Sequence, residues 1–224
     1  MNPMKPTLIK PPLFLFCLTP LAYYAWGFYT DTLGAKPIEA VTRGFGTWAL
    51  SFLLITLSVT PLRRYAGWTW LAPLRRMLGL FVFFYASLHL GSYLVLDQSF
   101  DWYAIAKDIL QRPFMTVGMI CFALLVPLAA TSNRLALRQL GGRRWQELHR
   151  TVYAIAMLAV LHYFWMVEDN LTGPLAYGLV LAVLLGVRAW WRMEERQRQI
   201  ANVPGMPPRP ATSGRRIIPL VVKK

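Results

Sequence analysis

The chain contains three histidines, and each lies within a run of apolar residues. His89, His149 and His162 stand in stretches long enough to form membrane-spanning helices. Ionisable side chains are rare there, and they bind ligands, relay protons or hydrogen-bond to a neighbouring helix. An imidazole ring can do each of these, because its two nitrogens can donate, accept or ligate a metal. The three histidines are therefore the candidate functional residues.

Two of the histidines are predicted to lie at the same depth of a membrane. His89 follows its nearest upstream arginine by 13 residues and His162 follows its own by 12, in helices predicted to run in the same direction. At about 1.5 Å of rise per residue, their depths agree within roughly 3 Å. Two neutral imidazoles that face each other across a helical bundle can ligate one haem iron from both sides. His89 and His162 are the predicted axial pair.

The third histidine suggests a second haem site. His149 precedes His162 by 13 residues, about 20 Å along one helix. A partner on the helix of His89 would lie 13 or 14 residues before it, at Arg76 or Arg75. Arginine stays protonated and ligates iron poorly, but it binds a haem propionate well. At about 100° per residue, His149 and His162 would also lie on different faces of one helix. The second site is either five-coordinate, unusually ligated or absent.

The composition indicates a membrane protein. Hydrophobic residues make up 56% of the 224 positions and charged residues only 15%, which is too apolar for a soluble domain. The net charge is +14, but the basic residues separate apolar runs, which fits anionic lipid and not nucleic acid. Cys17 and Cys121 belong to no C-x-x-C or C-x-x-C-H motif. This argues against a disulfide framework, a zinc site and covalently attached c-type haem.

Six apolar runs approach the roughly 20 residues that a spanning helix needs. They cover residues 13–29, 45–62, 77–96, 114–130, 145–167 and 175–191. We therefore predict an all-α integral membrane protein, a six-transmembrane-helix haem-binding bundle over residues 13–191. A short N-terminus (1–12) precedes it, and a basic tail (192–224) follows, with disorder predicted from about residue 202.

The positive charges predict the orientation of this bundle. With the N-terminus in the cytoplasm, the inner segments hold 20 Lys and Arg residues and the outer segments hold 4, whereas seven of the ten acids lie outside. Such a bias predicts that both termini are cytoplasmic. The outer loops are too short to fold as a separate domain, so chemistry outside the membrane requires another protein.

Two other functions are compatible with histidines in membrane helices. A transporter could use them as proton relays, but transporters usually show internal repeats and broken helices, and neither is evident in the sequence. A ferric or cupric reductase working alone would need a nucleotide-binding domain or an exposed substrate site. The chain contains no G-x-G-x-x-G motif and no P-loop.

Several short motifs together resemble the MsrQ (YedZ) family of the ferric-reductase-like transmembrane superfamily. They are GTWALSFLLITLSVTPLRR at residues 46–64, RRMLGL at 75–80, RPF at 112–114, ATSNR at 130–134 and WxxLHR…LHY at 145–163. The resemblance covers about residues 10–195. Each motif alone is weak, but the combination is specific.

The resemblance implies an electron-transfer subunit of the bacterial inner membrane, not a catalyst by itself. It implies b-type haem, one or two per chain, and an FMN whose residues the sequence does not place. Electrons would pass from the quinone pool or a cytoplasmic flavin reductase to a periplasmic molybdopterin methionine sulfoxide reductase, MsrP, which repairs oxidised proteins. By match, the haem histidines of the family fall on His89, His149 and His162. Relatives with two haems carry paired histidines on both helices, whereas here the third predicted helix has only one.

Overall fold

The computed structural model describes residues 6–167 and 170–201, and the regular structure in these ranges is all α-helical or a close variant. The α-helices are α1 (Pro6–Cys17), α2 (Thr19–Tyr29), α3 (Pro37–Tyr65), α4 (Arg75–Ser92), α5 (Trp102–Gln111), α6 (Pro113–Ala130), α7 (Arg134–His149), α8 (Val152–Met166) and α9 (Thr172–Ala201). A 3₁₀ helix covers Thr69–Leu74 and a π-helical turn covers Tyr93–Asp97. The predicted all-α class is confirmed. The tail from residue 202, predicted to be disordered, lies outside the described residues.

The chain divides into two compact units, Met1–Leu185 and Gly186–Lys224. The first unit contains α1 to α8 and the beginning of α9, and with them all three histidines. In the second unit, the described residues continue α9 to Ala201. Glu194 and Arg198, one turn apart, form an ion pair there.

Five helical segments are long and apolar enough to cross a membrane. They are Leu8–Tyr29, Pro37–Tyr65, Thr69–Asp97, Pro113–Ala130 and Thr172–Ile200. Each contains or closely matches one of the six predicted apolar runs. The fifth run, residues 145–167, has no counterpart among them.

That fifth run is interrupted instead of forming one helix. The helix α7 ends at His149 and α8 begins at Val152. Thr151 contributes to the break, since its hydroxyl and its N–H both donate to the Leu148 carbonyl, at 2.8 and 3.1 Å. The 15 residues of α8 span about 22 Å, less than the roughly 30 Å of a hydrocarbon core. His149 and His162 thus lie on two helices instead of the single helix from which their faces were compared.

The first spanning segment is also broken, between α1 and α2, and a neighbouring helix fills the break. The hydroxyl of Tyr85, on α4, donates to the Cys17 carbonyl at 2.7 Å and accepts from the Leu21 N–H at 3.3 Å. These are the two groups that an uninterrupted helix would pair with each other. The Tyr85 side chain is fully buried. It therefore satisfies two backbone groups that the break would leave without partners.

The buried core joins the helices that carry the histidines. The helix α3 packs along α4, and α6 packs along α8. Their buried side chains form one cluster that includes Leu53, Val82, Leu125 and Ile155. His89 lies on α4 and His162 on α8, so the core holds the two helices at a fixed separation.

The helix α5 lies in a stretch that the sequence analysis treats as an outer loop. Asp101 caps its N-terminus, because one carboxylate oxygen accepts from the N–H groups of Tyr103 and Ala104, both at 3.0 Å. Pro113 then begins α6 directly after Arg112. An aspartate before an amphipathic stretch is a signal that could have predicted this helix.

Candidate functional site

His89 and His162 lie side by side in the first unit, as the depth argument predicts. Their ring centres are 6.1 Å apart and their ring planes cross at 75°. Both rings line one cavity. Two residues that are 73 positions apart in the sequence are thus brought together by helices α4 and α8.

Each ring is held by a hydrogen bond to a neighbouring helix. His89 Nδ1 lies 2.8 Å from the Thr42 carbonyl oxygen on α3, and His162 Nδ1 lies 2.7 Å from the Phe114 carbonyl oxygen on α6. A carbonyl oxygen can only accept, so Nδ1 carries the proton in both rings. In a neutral imidazole the lone pair is then on Nε2, which is the nitrogen available to a metal.

The spacing of the two rings fits one metal ion between them. Two metal–imidazole bonds of about 2 Å each, with roughly 1 Å from each nitrogen to its ring centre, require about 6 Å between the centres. The observed separation of 6.1 Å meets this requirement. His89 and His162 would hold a haem iron placed between them, and the haem would supply one-electron chemistry.

The cavity around the pair is apolar with a few polar side chains. The apolar lining includes Leu50, Leu53, Val82, Leu125 and Ile155. Among the described lining residues, Arg43 is the one Lys, Arg, Asp or Glu, and its guanidinium pairs with Glu39 at 2.6 Å. The Arg43 side chain is half exposed, so the cation lies where a haem carboxylate could reach it from the cavity. In the sequence, Arg43 is one of the four outer basic residues, and its place in the cavity is seen only in the structure.

Of the four tyrosines near the histidines in sequence, Tyr93 and Tyr163 line this cavity. Tyr85 instead packs in the core, where its ring stacks on Phe52 with centres 5.3 Å apart. Tyr153 packs against the core without being among the cavity residues. Tyr163 also packs against the ring of Tyr177, with centres 5.9 Å apart.

His149 lies in a second cavity together with Arg75 and Arg76. This inner cavity has a volume of about 500 Å³ and the outer one about 140 Å³. The arginines therefore stand where the sequence analysis sought a partner for His149. Lys10 and Arg134 add to the positive charge of the lining, which suits an anionic ligand.

His149 is oriented by its neighbour one helical turn earlier. Its ring stacks on that of Trp145, with centres 3.9 Å apart, and its Nδ1 lies 3.0 Å from the Trp145 carbonyl oxygen. The same argument places the proton on Nδ1. His149 Nε2 is buried and has no hydrogen-bond partner among the residues that the structure describes. A buried nitrogen with a free lone pair is costly unless a ligand binds it. Glu147, two residues before His149 in the sequence, pairs with Arg143.

The two cavities are neighbours. Leu53, Val82 and Leu125 line both of them. A wall of three aliphatic side chains, one each from α3, α4 and α6, therefore separates the site of His89 and His162 from the site of His149.

Comparison with known proteins shows a match to a described family. Residues 43–160 match the family model of the ferric reductase like transmembrane component. A relative from Azospira oryzae, named protein-methionine-sulfoxide reductase heme-binding subunit MsrQ, is 55% identical over 198 residues, which are 88% of this chain and 83% of the relative. A relative of the same name from Herminiimonas arsenicoxydans is 49% identical over 89% of this chain and 93% of its own length.

The family model covers the part of the chain that contains Arg43 and His89, and it ends two residues before His162. The family model begins at the cavity arginine Arg43 and extends into α8. Together with the five spanning segments, this match identifies a multi-pass membrane protein. The chain belongs to the MsrQ family of ferric-reductase-like transmembrane proteins.

Proposed function

We propose that this protein is the haem-binding membrane subunit of a periplasmic methionine sulfoxide reductase system and carries electrons outward across the bacterial inner membrane. The observation that carries the proposal is the pair of neutral imidazoles with ring centres 6.1 Å apart. Bound haem supplies one-electron transfer at this position. The sequence offers no C-x-x-C-H attachment motif, which favours b-type haem.

The residues of the outer cavity have separate tasks in this proposal. His89 and His162 hold the iron through Nε2. The carbonyls of Thr42 and Phe114 keep the proton on Nδ1 and fix the ring directions. The aliphatic lining excludes water, and Arg43 neutralises a propionate at the cavity edge.

The inner cavity is the proposed site of a second haem. His149 would ligate the iron through its buried, unpartnered Nε2. Arg75 and Arg76 would bind the propionates. Two haems, one on each side of the wall that Leu53, Val82 and Leu125 form, give a two-step path for electrons through the first unit.

The direction of flow follows from the proposed orientation. Both termini and the inner cavity face the cytoplasm, as the distribution of 20 inner and 4 outer basic residues favours. Residues 145–167 then supply the sixth crossing, with α8 as its apolar part. Electrons enter from the quinone pool or a cytoplasmic flavin reductase. They leave to a periplasmic molybdopterin subunit, MsrP. The family resemblance adds FMN, for which no residue is assigned.

The proposal is tested by haem content and histidine variants. Full-length protein purified from cells with adequate haem supply is expected to show a reducible b-type spectrum. His89→Ala and His162→Ala should each abolish the same low-spin signal, because both ligands hold one iron. His149→Ala should leave that signal in place, because His149 lies in the other cavity.

Two results would contradict this assignment. Purified wild-type protein without stoichiometric haem would exclude the electron-transfer function. Equal and complete loss of signal in all three variants would exclude separate outer and inner sites. Transport of a solute by haem-free protein would favour the histidine proton relay, and reduction of ferric citrate without a partner protein would favour a reductase that works alone.

A further inference from the structure

The two iron-ligand candidates are held by the same local arrangement, built twice. His89 donates to the carbonyl of Thr42, and the residue four positions after Thr42 is Gly46. His162 donates to the carbonyl of Phe114, and four positions later is Gly118. Each glycine lies in the interior of a helix.

Each glycine is in close contact with one imidazole, Gly46 with that of His89 and Gly118 with that of His162. A Cβ built on Gly46 would lie 3.0 Å from His89 Nδ1, and a Cβ built on Gly118 would lie 2.9 Å from His162 Cε1. A real Cβ essentially never makes a contact as short as the one at Gly118, and the one at Gly46 is shorter than nine in ten real Cβ contacts, so each ring would have to move. Glycine in a helix interior costs about 1 kcal/mol relative to alanine. Its presence at both positions is explained by the approach of the rings.

The geometry of the α-helix explains why the glycine stands four residues after the carbonyl. The carbonyl of residue i accepts from the N–H of residue i+4 and keeps a second lone pair that points outward. Cα–Cβ bonds tilt toward the helix N-terminus, so the side chain at i+4 lies over that carbonyl. A glycine at i+4 leaves the second lone pair open to a ring from the neighbouring helix.

We propose that Gly46 and Gly118 are positioning residues for the haem, because each exposes the backbone carbonyl that holds one axial histidine. This inference rests on the proposed function. The glycines touch the ligands and not the iron, and they act by setting two properties of each ring. One is the strength of the hydrogen bond that Nδ1–H donates to the carbonyl. This hydrogen bond raises the basicity of the ligand and tunes the reduction potential. The other is the direction of the ring plane, and the planes cross at 75°.

The test compares Gly46→Ala and Gly118→Ala with a matched helical control in the full-length, haem-loaded protein. Gly178→Ala serves as the control, because its Cβ meets only Val160 Cγ1 at an ordinary 3.6 Å and it lines neither cavity. The readouts are the EPR spectrum of the oxidised protein and the midpoint potential of the outer haem. In low-spin ferric haem, the angle between the two imidazole planes sets the splitting of the iron d orbitals, and the g values follow it.

Each of the two cavity variants is expected to shift the low-spin g values and to move the midpoint potential to a more positive value. The added methyl must displace the ring. The displacement lengthens the hydrogen bond from Nδ1–H to the carbonyl and makes the ligand less basic. The control should match the wild type in both readouts. Loss of the outer low-spin signal with helical content and inner-site absorption retained also supports the proposal, since it reports a displaced ligand in a folded protein.

The proposal is overturned if both cavity variants keep the wild-type g values and midpoint potential. It is also overturned if the signal is lost only together with the helical circular dichroism, because a positioning residue leaves the fold intact. The two variants lie on different helices, so each repeats the test for the other. Absence of haem from the wild type would instead reject the proposed function, and the two failures are thereby distinguished.

Discussion

Each of the three histidines uses Nδ1 to bond a backbone carbonyl. The partners are the carbonyls of Thr42, Phe114 and Trp145. A carbonyl oxygen can only accept a hydrogen bond, so Nδ1 carries the proton in each ring. All three rings are therefore the same neutral tautomer, with the lone pair on Nε2. Carboxylates would bond these nitrogens more strongly, but a carboxylate buried in an apolar cavity is costly to keep charged. Backbone carbonyls orient the rings without adding a charge to the membrane interior.

Arg43 provides a prediction at the level of one residue. Arg43→Gln removes the cation from the described lining of the outer cavity and with it the proposed partner of a propionate. The side chain is 52% exposed, so we expect a loss of about 1 kcal/mol, roughly a fivefold weaker haem affinity. The rate of haem transfer from the purified protein to apomyoglobin measures this change.

Arg112→Gln is the matched control for Arg43. Arg112 also pairs with an acid one turn earlier, Asp108, and its side chain is similarly exposed, at 58%, but it does not line the cavity. Its haem transfer rate should equal that of the wild type. If both variants lose haem equally fast, Arg43 acts through the surface charge and not through the cavity.

The helices are joined in pairs by the residues that form the site. His89 on α4 bonds to α3, and His162 on α8 bonds to α6, so each ligand connects its own helix to the helix packed along it. A further contact of this kind fills the break between α1 and α2, where Tyr85 of α4 bonds to both helices. The polar side chains of the core thus connect helices to one another, and Tyr85 pairs the Cys17 carbonyl and the Leu21 N–H at the break between α1 and α2.

Tyr85→Phe should destabilise the helix pair α1 and α2 without disturbing the outer haem. The substitution leaves the Cys17 carbonyl and the Leu21 N–H without the bridging hydroxyl, which costs about 1–3 kcal/mol. Tyr85 is not among the residues that line the outer cavity, so the low-spin spectrum should be retained. Thermal unfolding of the purified protein in detergent measures the loss.

Tyr103→Phe is the control for this substitution, since the Tyr103 side chain is 81% exposed and loses no buried hydrogen bond. Its unfolding temperature should equal that of the wild type. An unchanged unfolding temperature in Tyr85→Phe would mean that the break between α1 and α2 needs no bridging hydroxyl.

Hydropathy predicted the elements whose apolar runs are long, and it failed where a short polar signal decides the structure. The spans that contain α3, α4, α6 and α9 follow from the length and hydropathy of their apolar runs. At the break between α7 and α8, the Thr151 hydroxyl and N–H both bond to the Leu148 carbonyl, and one threonine adds little to the mean hydropathy of the window. The helix α5 depends on the cap of Asp101, which stands in a stretch too short and too polar to draw attention as an apolar run.

The whole molecule has a strongly asymmetric charge distribution, and this makes the proposed orientation testable. Cysteines are introduced at Lys107 on α5, proposed to lie outside, and at Arg138 on α7, proposed to lie inside. Both side chains are exposed, whereas the native Cys17 and Cys121 are buried, at 1% and 8%, and give little background. A membrane-impermeant maleimide should label Lys107→Cys in intact spheroplasts and Arg138→Cys only after lysis. The reverse pattern would invert the proposed path of electrons.

The site shows a similar division between what sequence can and cannot predict. The pairing of His89 with His162 followed from their depths, because helix rise is nearly constant. The position of Arg75 and Arg76 in the cavity of His149 followed in the same way. The carbonyl partners could not be predicted, since every residue carries a carbonyl. Their only signal in the sequence is a glycine four residues later. Such a glycine indicates an exposed carbonyl only when the neighbouring helix and its histidine are known.

The wall formed by Leu53, Val82 and Leu125 determines how the transmembrane voltage acts on electron transfer. None of these side chains can bind a proton, whereas an electron can tunnel through a few ångströms of hydrocarbon. An electron that crosses the wall alone therefore moves one negative charge through part of the transmembrane voltage. With the cytoplasm negative, outward movement is downhill by up to about 2.3 kcal/mol per 100 mV for a full crossing. In the proposed orientation, the resting voltage of the cell itself drives reducing power toward the periplasm.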